Sequence, residues 1–156
     1  MKKILFVICI MGLILSSCGK EEEKNVIPAY PVHFKVNISG FDAALKTPGN
    51  IKIFETPRLD NEYVGYSGLI IVCDPRSEMN NPNLFAYDLC CPYEAQKNVK
   101  VTPSSDDGTA SCSKCGSVFD LYSGLGNVKS GPSDNPLQVY WAKASTNGVF
   151  YVQRKN

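Results

Sequence analysis

The sequence predicts an all-β protein, a small antiparallel sandwich or barrel, on three observations. Pro31 to Ser39 alternates apolar and polar residues without a break, the period of a half-buried strand. No stretch carries an apolar stripe at helical spacing long enough for a packed helix. Gly, Pro and Asn punctuate the body about every ten residues, the rhythm of short strands joined by turns.

Taken in order, the elements support that class. In Pro31–Ser39, Val32, Phe34, Val36 and Ile38 share one face, while His33, Lys35, Asn37 and Ser39 share the other. Asn50 to Phe54 is a second strand, entered through Pro48-Gly49. Gly68 to Cys73 is a continuous apolar run, too short for a free-standing helix, as expected of a central strand that Asp74-Pro75 ends. Leu84 to Asp88 alternates again and delivers the chain into Cys90-Cys91. Ser117 to Leu121 reads as a short strand. Leu137–Trp141 and Gly148–Val152 read as a hairpin across Ser145 to Gly148. The loop from Asp74 to Asn83 and the polar run from Pro103 to Thr109 read as surface excursions. The strand aromatics, Trp141 and Tyr151 among them, read as core residues, and His33, the only histidine, as an exposed one.

The first residues set the compartment. Met1-Lys2-Lys3 is a basic start, and Ile4 to Leu15 is an apolar run of signal-peptide length, shorter than the roughly 20 residues that cross a bilayer. The run ends in Leu15-Ser16-Ser17-Cys18-Gly19, which resembles a bacterial lipobox and implies cleavage after Ser17 with lipidation of Cys18. Residues 1–17 are then a signal peptide. Residues 18–30 are the lipidated cysteine and a solvated tether, with Lys20-Glu21-Glu22-Glu23-Lys24 at its centre. An acidic run in that place resembles the export signal of Bacteroidota surface lipoproteins. The expected location is the outer membrane, facing the periplasm or the exterior. Residues 31–156 form one domain, long enough for a single core.

Composition excludes some functions. Loss of Lys2 and Lys3, two of the 16 basic residues, leaves 14 against 15 acidic, so there is no basic patch to argue for nucleic acid. A lone histidine and the lack of a glycine-rich phosphate loop leave no visible hydrolytic or nucleotide chemistry, and a binding or electron-transfer role is expected over an enzyme.

The chemistry concentrates between Leu89 and Asp120. Five cysteines remain after processing: Cys73, Cys90, Cys91, Cys112 and Cys115. Cys73 ends an apolar run and reads as a packed thiol, with a disulfide to Cys90 as the alternative. Cys90-Cys91 followed by Pro92, and Cys112-Ser113-Lys114-Cys115 followed by Gly116, are two loops offering soft ligands beside tight-turn residues. Adjacent side chains in extended backbone point apart, so Cys90 and Cys91 make a poor pair for one ion.

Cys91-Pro92-Tyr93, the run Cys112 to Asp120 and the turn Gly131-Pro132 before Leu137 to Tyr140 together resemble a Rieske iron–sulfur domain. That family reads Cys-x-His, a spacer, then Cys-x-x-His-Gly, with a Gly-Pro stretch downstream. Two cysteines hold one iron of its [2Fe–2S] cluster and two histidines the other. Tyr93 stands at the first histidine position and Cys115 at the second.

The resemblance implies the fold, and for the site four readings stay open. A [2Fe–2S] cluster on Cys91, Cys112 and Cys115, with Cys90 or Tyr93 as fourth ligand, implies electron transfer to a redox partner at a potential lowered towards roughly −400 mV. Zn²⁺ on the same thiolates implies a structural or binding module. A disulfide between Cys112 or Cys115 and Cys90 or Cys91 implies no metal. A redox-active Cys112–Cys115 dithiol, tuned by Lys114, is the fourth.

Overall fold

The computed structural model describes residues 26–155. The signal peptide, the Cys18 lipidation site and the acidic part of the tether lie outside the described residues. Eleven strands run β1 (Val32–Asn37), β2 (Ile51–Phe54), β3 (Tyr63–Val64), β4 (Leu69–Cys73), β5 (Leu84–Asp88), β6 (Thr102–Ser104), β7 (Thr109–Ser111), β8 (Val118–Asp120), β9 (Val128–Ser130), β10 (Val139–Ala144) and β11 (Val149–Arg154). One 3-10 turn, Ala43–Lys46, follows β1. The all-β class is thus as the patterning predicts, and no helix among the described residues is long and apolar enough to cross a membrane.

Seven strands form one antiparallel sheet in the order β2-β4-β5-β10-β11-β1-β3. The alternation of β1 delivers Phe34 and Val36 into the core with no exposure, and the antiparallel register sets Phe34 opposite Val152. The sheet curls until Phe34 of its sixth strand meets Phe54 of its first, with ring centroids 4.6 Å apart. Beneath the curl, Asp42 is fully buried and accepts from Lys52 Nζ at 2.7 Å, Arg58 Nη1 at 3.1 Å and the Asn37 amide at 2.9 Å. The Arg58 guanidinium covers both the Phe34 and the Phe54 rings.

The other four strands, β6 to β9, form a second antiparallel sheet inserted between β5 and β10. It packs on the back of β4 and β5, which explains the unbroken apolar run of β4. Leu69, Ile71 and Cys73 join the core inside the large sheet, and Ile70 and Val72 join a second core against Phe119 and Leu121. A strand buried on both faces has no solvent side to alternate with.

Four expectations are corrected. The run Pro103–Thr109 is the tight β6–β7 hairpin, in which Pro103 pairs with Ala110. Trp141 is exposed on β10 rather than packed in a core, with Lys143 over its ring. His33 is half-buried and stacked on Tyr151 across the β1–β11 pair. The tether ends earlier than Tyr30: Ile27 is already docked on the domain, 4% exposed.

Candidate metal centre

The pleat of β5 sets the first loop. Phe85, Tyr87, Leu89 and Cys91 face the second core, one after another, so Cys90 must point away. The backbone holds this register past the end of the strand: the Leu89 amide donates to Gly68 O, the Cys91 amide to Val99 O and the Val101 amide to Leu89 O. The chain then turns at once, with the Ala95 amide donating to Cys91 O at 2.9 Å.

The second loop is the tip of the β7–β8 hairpin. The Cys112 amide donates to Ser117 O at 2.8 Å, and the Gly116 amide donates to Cys112 O at 2.9 Å. Gly116 sits at φ +76°, a conformation that glycine adopts without strain. A third loop closes on this tip. A Cβ on Gly131 would come 2.4 Å from Ser117 Cα, so only glycine permits this approach. The Ser133 amide then donates to Ser117 Oγ at 3.1 Å, and Ser117 Oγ is 3.2 Å from Cys115 Sγ. Lys114 ties the first two loops, 2.5 Å from Glu94 and donating to Gln96 Oε1 at 3.4 Å.

These loops bring three sulfurs together. The Sγ atoms of Cys91, Cys112 and Cys115 all lie within 4.8 Å of one another, with Cys91 and Cys115 3.6 Å apart. Cys91 and Cys112 are buried and Cys115 is partly open to solvent. The group can hold a metal ion. All five described cysteines are free thiols.

The remaining candidates are placed elsewhere. Cys90 is buried but does not join the group, and its thiol donates to Gln96 O at 3.4 Å and Cys91 O at 3.5 Å. Tyr93 is 53% exposed on the first loop. Cys73 packs in the other core beneath the large sheet, a different core from that of Cys91.

Electrostatics differ among the thiols. Burial pushes Cys91 up to about 12, against the Glu94 and Tyr93 backbone amides that face its sulfur, and the adjoining Cys112 and Cys115 thiols raise it further. Burial likewise pushes Cys90 up to about 11. At Cys115 partial burial raises the thiol, but the Ser117 hydroxyl and amide outweigh it and hold the group below its ordinary value. A cation placed among the three would favour all as thiolates.

Two supports of the site lie outside the cysteine spacing. Ser117 is legible only through its position two residues after Cys115. Asp88 is fully buried at the end of β5 and accepts from the Cys90 amide at 2.8 Å, the Tyr66 amide at 2.7 Å and Tyr140 Oη at 2.8 Å. An aspartate closing a strand just before a cysteine pair is the one signal the sequence carries for it.

No protein-family model matches the chain, and no curated protein resembles it closely enough to count as a relative.

Proposed function

We propose that this chain is a lipid-anchored envelope protein whose Rieske-like domain holds a single thiolate-bound metal ion, Zn²⁺, on Cys91, Cys112 and Cys115. The ion ties the two loops, and the domain acts as a binding or structural module. The observation that carries this reading is the mutual approach of the three sulfurs. Zn–S bonds of about 2.3 Å in a tetrahedron put sulfurs about 3.8 Å apart, and Cys91 and Cys115 stand at 3.6 Å.

The family's two-iron cluster fits these residues poorly. It needs ligands divided between two irons, with the pairs splayed to opposite ends. Here three sulfurs gather around one point, and neither histidine position holds a histidine. What supports the Rieske-like reading is the order of the loops, the close approach of Gly131 to Ser117, and the small sheet that carries the cysteine turn. Ser17-Cys18 and the signal-like run before it support the outer membrane as location, with the periplasm or the exterior as the side faced.

The test is elemental analysis of the mature chain made anaerobically with zinc and iron both supplied. Zinc near one per chain without acid-labile sulfide is the expected result. Iron and sulfide at two each per chain, with an EPR signal on reduction, would instead establish electron transfer through a [2Fe–2S] centre. Metal-free protein whose Cys91 is crosslinked to Cys115 would establish the disulfide-tied module.

A further inference from the structure

The first described residues line a groove beside the cysteine loops. Ile27, 4% exposed, lines a groove of about 420 Å³ together with Val26, Pro92, Leu125, Pro136 and Leu137. Pro92 follows Cys91, so the first described residues sit beside the cysteine loops. Seven residues lie between Cys18 and Val26, so a lipid on Cys18 would hold this groove within about 30 Å of the membrane even with the chain fully extended.

The exposed surface here is apolar at its tips. Leu125 on the groove rim is 56% exposed and Tyr93, next to Pro92, is 53% exposed. Lys155 lines the groove, and Lys97 follows on the Tyr93 loop, stacked over the Tyr30 ring. Apolar and tyrosine tips beside lysines suit the lipid headgroup layer.

The opposite pole lies a strand length away. Val32 begins β1 near the end of β11, where Lys155 reaches the groove, and Asn37 at the far end of β1 pairs with Val149. Six residues of β1 span about 20 Å. Phe41 lies beyond that end and is 91% exposed.

We infer that the cysteine-loop pole faces the membrane, with Tyr93 and Leu125 resting on lipid headgroups and Phe41 pointing away from them. The partner of this surface is the bilayer that holds the anchor. The inference rests on lipidation at Cys18, as proposed above.

The test uses the acylated mature chain in phospholipid vesicles containing lipids brominated at a shallow acyl position. In a Trp141→Phe background, which removes the only native tryptophan, one reporter is introduced by Leu125→Trp or, separately, by Phe41→Trp. A side chain within about 5–10 Å of the headgroup boundary should be quenched roughly twofold. Quenching at 125 and little at 41 is the expected result. Equal quenching, the reverse order, or no quenching of an acylated chain overturns the orientation alone. The mass of the N-terminal peptide from the same vesicles reads acylation independently, and an unacylated cysteine overturns the anchor together with the orientation.

Discussion

The large sheet and the small one hide apolar surface by different means. The large sheet has strands of up to six residues, β1 alternating cleanly, and it curls until Phe34 and Phe54 close over its own core. Each strand of the small sheet has three residues. Its core is borrowed: Phe119 and Leu121 pack on Ile70, Val72 and Tyr87, the back of β4 and β5. Two tyrosine hydroxyls strap it down, Tyr87 Oη donating to Leu121 O and Tyr122 Oη to Gly49 O. A unit of short strands with half a core gains most from a crosslink, and the three sulfurs stand where such a crosslink joins its hairpin tip to the end of β5.

That contrast breaks most severely in the large sheet. Phe34→Ala removes a ring with no exposure and should cost about 3–5 kcal/mol. Urea denaturation followed by both fluorescence and circular dichroism should show the two sheets melting together, because the small sheet has no core of its own. Coincident transitions are expected, and a small sheet that persisted alone would reverse the dependence.

Cys112→Ser should act on the small sheet alone. The proposed metal should no longer be held, and amide exchange in β6 to β9 should rise roughly tenfold or more while β1, β10 and β11 keep their protection. Hydrogen-exchange mass spectrometry by segment reads this directly. Treatment of the native protein with a strong chelator should reproduce the same pattern.

Asp42 and Asp88, the two fully buried aspartates among the described residues, sharpen the comparison through pH. Burial raises Asp42, but the Lys52 hydrogen bond, the Asn37 amide and the charges of Arg58 and Lys52 hold it below the ordinary 3.8. Its stabilisation is therefore present above that value and lost as pH falls through the depressed folded one. Asp88, at the junction of the sheets, is raised by burial, against the Cys90 and Tyr66 amides and the Tyr140 hydroxyl. Its contribution is full below the ordinary carboxylate value and is lost as pH rises through the raised folded one. Asp42→Asn should cost about 1–3 kcal/mol at neutral pH and flatten the acid limb of the stability profile. Denaturant midpoints measured from about pH 3 to pH 7 check the slope.

Cys90→Ala should have the smallest effect. Its thiol donates to Gln96 O and faces away from the three sulfurs, so bound metal should be unchanged and stability should fall by about 1 kcal/mol. A loss of metal comparable to that of Cys91→Ser would make Cys90 a ligand.

Strands with enough residues to show a period were legible. β1, β2, β4, β5 and the β10–β11 hairpin fall where the patterning put them, although β10 begins at Val139, two residues after the expected start, and runs to Ala144. β3, β6, β7 and β9 are not legible because two or three residues cannot display an alternation of period two, whereas three-residue β8 is legible because Leu121 extends the pattern of Phe119. Pro103 and the polar Ser105 to Gly108 turn read as loop for the same reason. Trp141 went to the wrong face because an aromatic residue weighs towards a core, whereas the register of β10 turns it outwards.

The sequence by itself determined the all-β class, the interior place of β4 in its sheet and the divergence of Cys90 from Cys91, because each follows from the local pattern of a stretch of chain. Only the tertiary structure brings the three sulfurs that the resemblance groups to within 4.8 Å of one another. Twenty residues lie between Cys91 and Cys112, and no local periodicity reports how they fold. Their hairpins, the Lys114 tie to Glu94 and the Gly131 turn against Ser117 close that distance. These are contacts between chain segments far apart in sequence, and they turn three cysteines into one site.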